Sequence, residues 1–143
     1  RDYASGSVGR FSALTLGEMP ETCRLSLELT YEEGTAACGV LLRADPRLES
    51  YYQLRLEPAR QRLVIDRWPR PGDQPFMLER PLPMRPGRPV KLDVLVDGTC
   101  LVAYADDRVA LSCRLYDHRA GEVGLFVAEG RARFAGVALT VTG

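Results

Sequence analysis

The chain has 143 residues, 45% of them hydrophobic and 27% charged, which suits one soluble domain with a sizeable core. Nineteen basic and nineteen acidic residues cancel to zero net charge, so the clustered basic surplus of a nucleic-acid binder is missing. No apolar run reaches membrane-spanning length, and no signal peptide precedes Arg1, which reads as the start of a piece cut from a longer protein. Its compartment, secreted or cytoplasmic, is therefore left open.

In chain order, period-2 alternation dominates and sustained 3.6-residue periodicity is absent. Arg24 to Tyr31 alternates through Leu25, Leu27 and Leu29. Further strands are expected at Ala37 to Arg43, Tyr51 to Leu56, Arg62 to Trp68, Pro89 to Asp97 and Cys100 to Ala105. Three more follow at Arg108 to Leu115, Glu122 to Ala128 and Arg131 to Thr142. Glu57 to Arg62 has room only for a short turn. Between Pro69 and Pro89, seven prolines spoil sheet pairing and predict a long loop or an edge segment. Short strands between Gly, Pro and Asp turns, without crossover helices, predict an all-β, two-sheet antiparallel sandwich over residues 1–143.

Two hairpins can be given a register. Placing Asp106-Asp107 at a two-residue turn pairs Ala105 with Arg108, Tyr104 with Val109, Val102 with Leu111 and Cys100 with Cys113. That face would be core, with the two cysteines opposed as a disulfide or, on the preferred reading, as buried thiols. In the second hairpin, pairing Leu54 with Ile65 and Leu56 with Leu63 groups the apolar residues. The opposite face then carries Tyr51 across from Trp68, Gln53 across from Asp66, and Arg55 across from Val64, with Arg43 beside Tyr51 from the preceding strand.

Catalytic patterns are missing. Cys23, Cys38, Cys100 and Cys113 show no C-x-x-C spacing and His118 is the only histidine, so no metal site is expected. No G-x-S-x-G elbow surrounds a serine, and no glycine-rich phosphate cradle precedes a helix, so neither a triad nor a cofactor is expected. Asp66 is distinctive as a mid-strand carboxylate. The face formed by Arg43, Tyr51, Gln53, Arg55, Asp66 and Trp68 combines rings that cover apolar sugar faces with groups that hydrogen-bond hydroxyls. The plainer reading is a solvated sheet face whose cross-strand pairs stabilise the hairpin.

The stretches Cys38 to Asp45, Tyr51 to Glu57 and Leu63 to Trp68 resemble the β-sandwich that follows the catalytic propeller in glycoside hydrolase family 32. Lys91 to Gly98, Val102 to Asp107 and Gly124 to Val127 resemble its closing strands. Asp97, Thr99 and Tyr104 fit a D-x-S/T-x-x-E-x-F-like segment, with Val102 where its Glu would stand. The resemblance spans roughly residues 8 to 142. It implies a concanavalin/laminin-G-like sandwich, a propeller as partner, and a non-catalytic role. It is also similar to fructan-binding modules of carbohydrate-binding family 66, which implies a pocket for fructose units of levan or inulin at Arg43, Asp66 and Trp68, flanked by Tyr51, Gln53 and Arg55. The alternative it implies is a purely structural domain supporting the propeller. The family's W-M-N-D-P-N-G and E-C catalytic elements are absent, and Arg43-Ala44-Asp45-Pro46 only superficially matches its R-D-P element.

Overall fold

The structure, a computed structural model, describes residues 3–69, 78–118 and 120–141. Ten strands form one hydrogen-bonded series: β1 (Tyr3–Glu18), β2 (Thr22–Tyr31), β3 (Ala37–Ala44), β4 (Tyr51–Glu57), β5 (Arg62–Trp68), β6 (Leu78–Pro81), β7 (Val90–Asp97), β8 (Cys100–Ala105), β9 (Val109–Arg114) and β10 (Glu122–Val141). The order is β6-β5-β4-β3-β10-β2-β7-β8-β9, with β1 also on β10, and every pairing is antiparallel among the described residues.

The two layers arise because β10 belongs to both. Residues 122–128 pair with β3 and residues 132–141 pair with β2. Sequence patterning predicts two strands here, divided near Glu129-Gly130. Instead one strand turns a corner at that pair, where both residues have positive φ. Thr35 pins the corner, its hydroxyl accepting from the Arg131 amide and donating to the Arg131 carbonyl, each at 3.1 Å. β1 follows β10 through the corner with a register shift between Ser7 and Phe11. No strand is expected for β1 from sequence alone.

Alternation then places the core between the layers. Leu25, Leu27 and Leu29 of β2 meet Val40, Leu42, Leu54, Leu56, Leu63, Ile65, Leu92, Val94 and Val96 in one buried cluster. Each such side chain contributes roughly 1.5–3 kcal/mol by leaving water.

The β4–β5 hairpin has the expected register, with Leu54 facing Ile65, Leu56 facing Leu63, and Tyr51 facing Trp68. Its loop is a single 3₁₀ turn, Pro58–Arg60, closed by Gln61 in the left-handed region. β6 is a short edge strand on β5 inside the proline-rich segment, of which 70–77 lies outside the described residues. Thr142, expected to end the last strand, lies outside them as well.

The β8–β9 hairpin differs by one residue from its expected register. Ala105 pairs with Val109, Ala103 with Leu111, and Leu101 with Cys113. Asp106 and Asp107 do form the turn, but Arg108 is taken up in it, its amide donating to the Ala105 carbonyl at 3.1 Å. Asp106 is also tied to β7, where its amide and carboxylate bond the Lys91 backbone at 2.8 Å. A slip of one exchanges the faces of a strand. Leu101, Ala103 and Ala105 therefore face the core, while Cys100, Val102 and Tyr104 lie on the side away from it. Cys100 is opposite Arg114 instead of Cys113, and all four cysteines are free thiols.

Candidate functional site

The site lies on the outer surface of the β3–β4–β5 layer. Alternation sends Tyr52, Leu54 and Leu56 inward and leaves Tyr51, Gln53, Arg55 and Glu57 outward on β4. On β5 the outward residues are Arg62, Val64, Asp66 and Trp68. β3 contributes the small residues Ala37 and Gly39 beside them. Gly39 has to be small, because a Cβ there would stand 2.0 Å from the Leu54 carbonyl oxygen. β1 and β10 add a stacked pair of rings, Phe11 over Phe126, with centroids 5.4 Å apart.

Part of this face lines an open pocket of about 400 Å³. That volume falls at the small end of ligand pockets, which run from about 300 to 1,000 Å³. Tyr51 and Trp68 line it on the hairpin side, Phe11 and Phe126 on the β1–β10 side, and Gln53, Arg55 and Asp66 supply polar groups. Trp68 and Phe11 are each about half exposed, at 48% and 46%. A second depression at Glu18, Met19, Pro20, Glu21 and Ala120 carries two carboxylates and no aromatic ring.

An alternating chain of charges organises the polar groups. The Arg55 Nη1 donates to Asp66 Oδ2 at 2.8 Å and to Gln53 Oε1 at 2.9 Å, while its Nε donates to Glu57 Oε2 at 2.5 Å. Glu57 Oε1 accepts from Arg62 Nε at 2.7 Å, and Arg62 Nη1 continues to Glu79 on β6. Burial pushes the Glu57 carboxyl up, but hydrogen bonds from Arg62 and Arg55, with their charges, more than offset this and hold it below its ordinary value. Asp66 is fixed further by the Arg67 amide, which donates to Oδ1 at 2.8 Å. Both carboxylates nearest the pocket thus bond arginines. The arrangement suits holding a ligand more than moving its protons.

Five of the six expected site residues, Tyr51, Gln53, Arg55, Asp66 and Trp68, line this one pocket. Arg43 does not, and its placement is corrected. Glu122 pairs with Ala44 and Gly124 with Leu41, so β3 carries one extra residue at a bulge, and Arg43 there has φ +51°. The bulge breaks the alternation and turns Arg43 inward, 2% exposed, where its guanidinium donates to the carbonyls of His118, at 3.3 Å, and Gly98. Gly121 packs directly on the bulge, where a Cβ would come within 2.3 Å of the Arg43 carbonyl carbon.

His118 also holds the frame together. Its amide and that of Asp117 donate to the Tyr52 hydroxyl at 3.2 and 2.7 Å, and its ring Nε2 lies 3.1 Å from the Trp68 carbonyl. Among the described residues no group of three or more His, Cys, Asp or Glu side chains is placed to hold a metal.

Phe11, Phe126, Glu57, Arg62 and Glu79 escape the sequence reading. For Glu57 the signal was present, since alternation from Tyr51 through Gln53 and Arg55 puts it on the same face. Phe11 and Phe126 come together only through the β1–β10 pairing, which no local pattern announces.

Fold and pocket together define a β-sandwich module with a ring-lined depression on one sheet. The family model described as Glycosyl hydrolases family 32 C terminal matches residues 5–141, and the chain belongs to this family. It is thus the non-catalytic accessory domain of that hydrolase family.

Among solved structures, a carbohydrate binding module, CBM66, from Bacillus subtilis superposes with a TM-score of 0.84 at 18% identity, covering 96% of this chain and 85% of that one. A fructosyltransferase from A. japonicus gives 0.70 at 19% identity, covering 97% of this chain and 26% of the enzyme, so the chain spans about a quarter of that protein. The galectin LEC-6 of Caenorhabditis elegans gives 0.64 at 11% identity, covering 94% of this chain and 95% of that one. At these identities the likeness is one of fold. A search of the curated proteins found no match.

Proposed function

We propose that this domain is a carbohydrate-binding module that holds a fructose unit of a fructan, levan or inulin, for a family 32 catalytic propeller to which it is attached. The observation that carries the reading is the pairing of Tyr51 with Trp68 at one wall of a pocket whose polar groups include Gln53, Arg55 and Asp66. Rings at the wall cover the C–H face of a sugar, and the guanidinium and amide donate to its oxygens. Family membership and the fold of the Bacillus subtilis module support the same class of ligand.

A shallow pocket buries few ligand atoms, so dissociation constants from tens of micromolar to millimolar are expected, about −4 to −6 kcal/mol. Isothermal titration with levan, inulin, sucrose and fructose tests this. Binding to at least one fructan is expected, weakened at least tenfold by Trp68→Ala. Undiminished binding by that variant moves the site elsewhere.

A second reading is favoured by one observation. Leu41, Ala44 and Phe126 form a small apolar cluster with Ala37, Leu48 and Tyr51 on this same outer face, next to half-exposed Phe11. On that reading the face supports the propeller and holds no sugar. Titrations silent for all four sugars would select it.

A further inference from the structure

We propose that Glu57 is a positioning residue for this pocket, gripping Arg55 from behind so that its Nη2 is presented to the cavity as the donor that reads a sugar oxygen. This rests on the sugar-binding reading above.

A guanidinium has five N–H donors in a rigid plane and accepts nothing. Arg55 spends Nε on Glu57 and Nη1 on Asp66 and Gln53. Its Nη2 bonds no described residue. It is not a sealed orphan either, because Tyr31 Oη is the only buried side-chain nitrogen or oxygen without a partner among the described residues. Two N–H groups of a largely buried arginine therefore remain open, on a residue that lines the cavity.

Gln53 adds to the same polarity. Arginine only donates, so the amide oxygen of Gln53 must face Arg55, which leaves the Nε2 donors for a ligand. Asp66 meanwhile accepts from Arg55 and from the Arg67 amide. The floor thus offers Arg55 Nη2 and Gln53 Nε2 as donors to the lone pairs of hydroxyl or ring oxygens on the ligand.

Glu57 does not line the cavity. It acts through Arg55, and it is itself clamped, one oxygen on Arg55 and the other on Arg62, which is anchored to Glu79 across β6. A glutamine at this position keeps the shape but exchanges one acceptor for a donor that would face an arginine. The Nε proton or the Arg62 proton then loses its acceptor in a largely enclosed place, and the Arg55 plane turns to find another.

A double-mutant cycle read by titration with levan and inulin separates this from simple strand stabilisation. Glu57→Gln should weaken fructan binding about tenfold, Arg55→Met at least as much, and the double variant no more than Arg55→Met alone. Wild-type binding that Glu57→Gln leaves unchanged would overturn the proposal while the sugar site stands. So would a Glu57→Gln loss that persists in the Arg55→Met background. A wild-type protein that binds neither fructan overturns both.

Arginine side-chain NMR on the unaltered protein covers a variant that fails to fold. The Arg55 Nε proton should be protected from exchange, and levan should shift its Nη2 resonances more than Nε. An Nε proton exchanging as fast as those of exposed arginines would overturn the proposal.

Discussion

Each sheet carries a buried mid-strand aspartate on its outer surface, and the two are built to different ends. Asp66 on β5 and Asp93 on β7 are both 7% exposed at the side chain, and each is bonded by an arginine at 2.8 Å. Arg55, the partner of Asp66, is 10% exposed and bonded on to Gln53 and Glu57. Arg24, the partner of Asp93, is 51% exposed and uses both Nε and Nη2 on one carboxylate oxygen. Tyr104 faces Asp93 across β7–β8 as Gln53 faces Asp66 across β4–β5. Similar residue types therefore give a rigid, enclosed floor on one sheet and a solvated ion pair on the other. What separates them is the neighbours: the charge chain to Glu79, and the rings brought in by the β1–β10 corner.

Gly39→Val should break that difference most severely. A Cβ at this position would lie 2.0 Å from the Leu54 carbonyl oxygen and 2.9 Å from the Arg55 Cα, both backbone, so the hairpin under the pocket must shift. A loss above about 3 kcal/mol is expected, because overpacking against backbone has no cheap relief. Ser26→Val on β2, beside Asp93, should change stability by no more than about 0.5 kcal/mol. Urea unfolding measures both, and equal midpoints for the two variants would deny that the pocket floor is the tighter surface.

Truncating the two carboxylates gives a smaller and more direct contrast. Asp66→Ala leaves the Arg55 Nη1 short of an acceptor in an enclosed place, with Glu57 still neutralising the charge, so about 2–3 kcal/mol is expected. Asp93→Ala frees a half-exposed Arg24 to return to water, at under about 1 kcal/mol. Similar losses for the two would show that enclosure of the arginine is not what distinguishes the faces.

The enclosed face was also the more readable one, for a physical reason. In β4 and β5 only one alternate set is apolar enough to bury, Leu54, Leu56, Leu63 and Ile65, so the hairpin admits a single register and places Tyr51, Gln53, Asp66 and Trp68 correctly. In β8 both sets are apolar. Leu101, Ala103 and Ala105 compete with Cys100, Val102 and Tyr104, and only the turn discriminates, where Arg108 adds a residue that spacing does not reveal. Arg43 fails for the same kind of reason, since a bulge adds one residue to a ladder without leaving a mark on composition. β1 depends on pairings more than 100 residues apart, such as Phe11 with Ala128, and the corner in β10 on others as distant as Thr35 with Arg131, 96 residues apart, none of which local alternation encodes.

The smallest expected effect sharpens the comparison through pH. Hydrogen bonds from Arg62 and Arg55 outweigh burial and hold the Glu57 carboxyl below its ordinary value of 4.5 when the domain is folded. The unfolded chain therefore binds this proton more readily than the folded one, and stability rises with pH through that window. The contribution is fully present above about pH 4.5 and is lost as pH falls through the lower, folded value. Glu57→Gln removes the titrating group, so its unfolding free energy should lie below that of the wild type at pH 7 and converge toward it as pH falls below 4.5. Parallel urea titrations at half-unit steps measure the gap. A gap that stays constant across the range would mean that the arginines do not hold Glu57 ionised, and that the charge chain is no tighter than the ion pair on the opposite sheet.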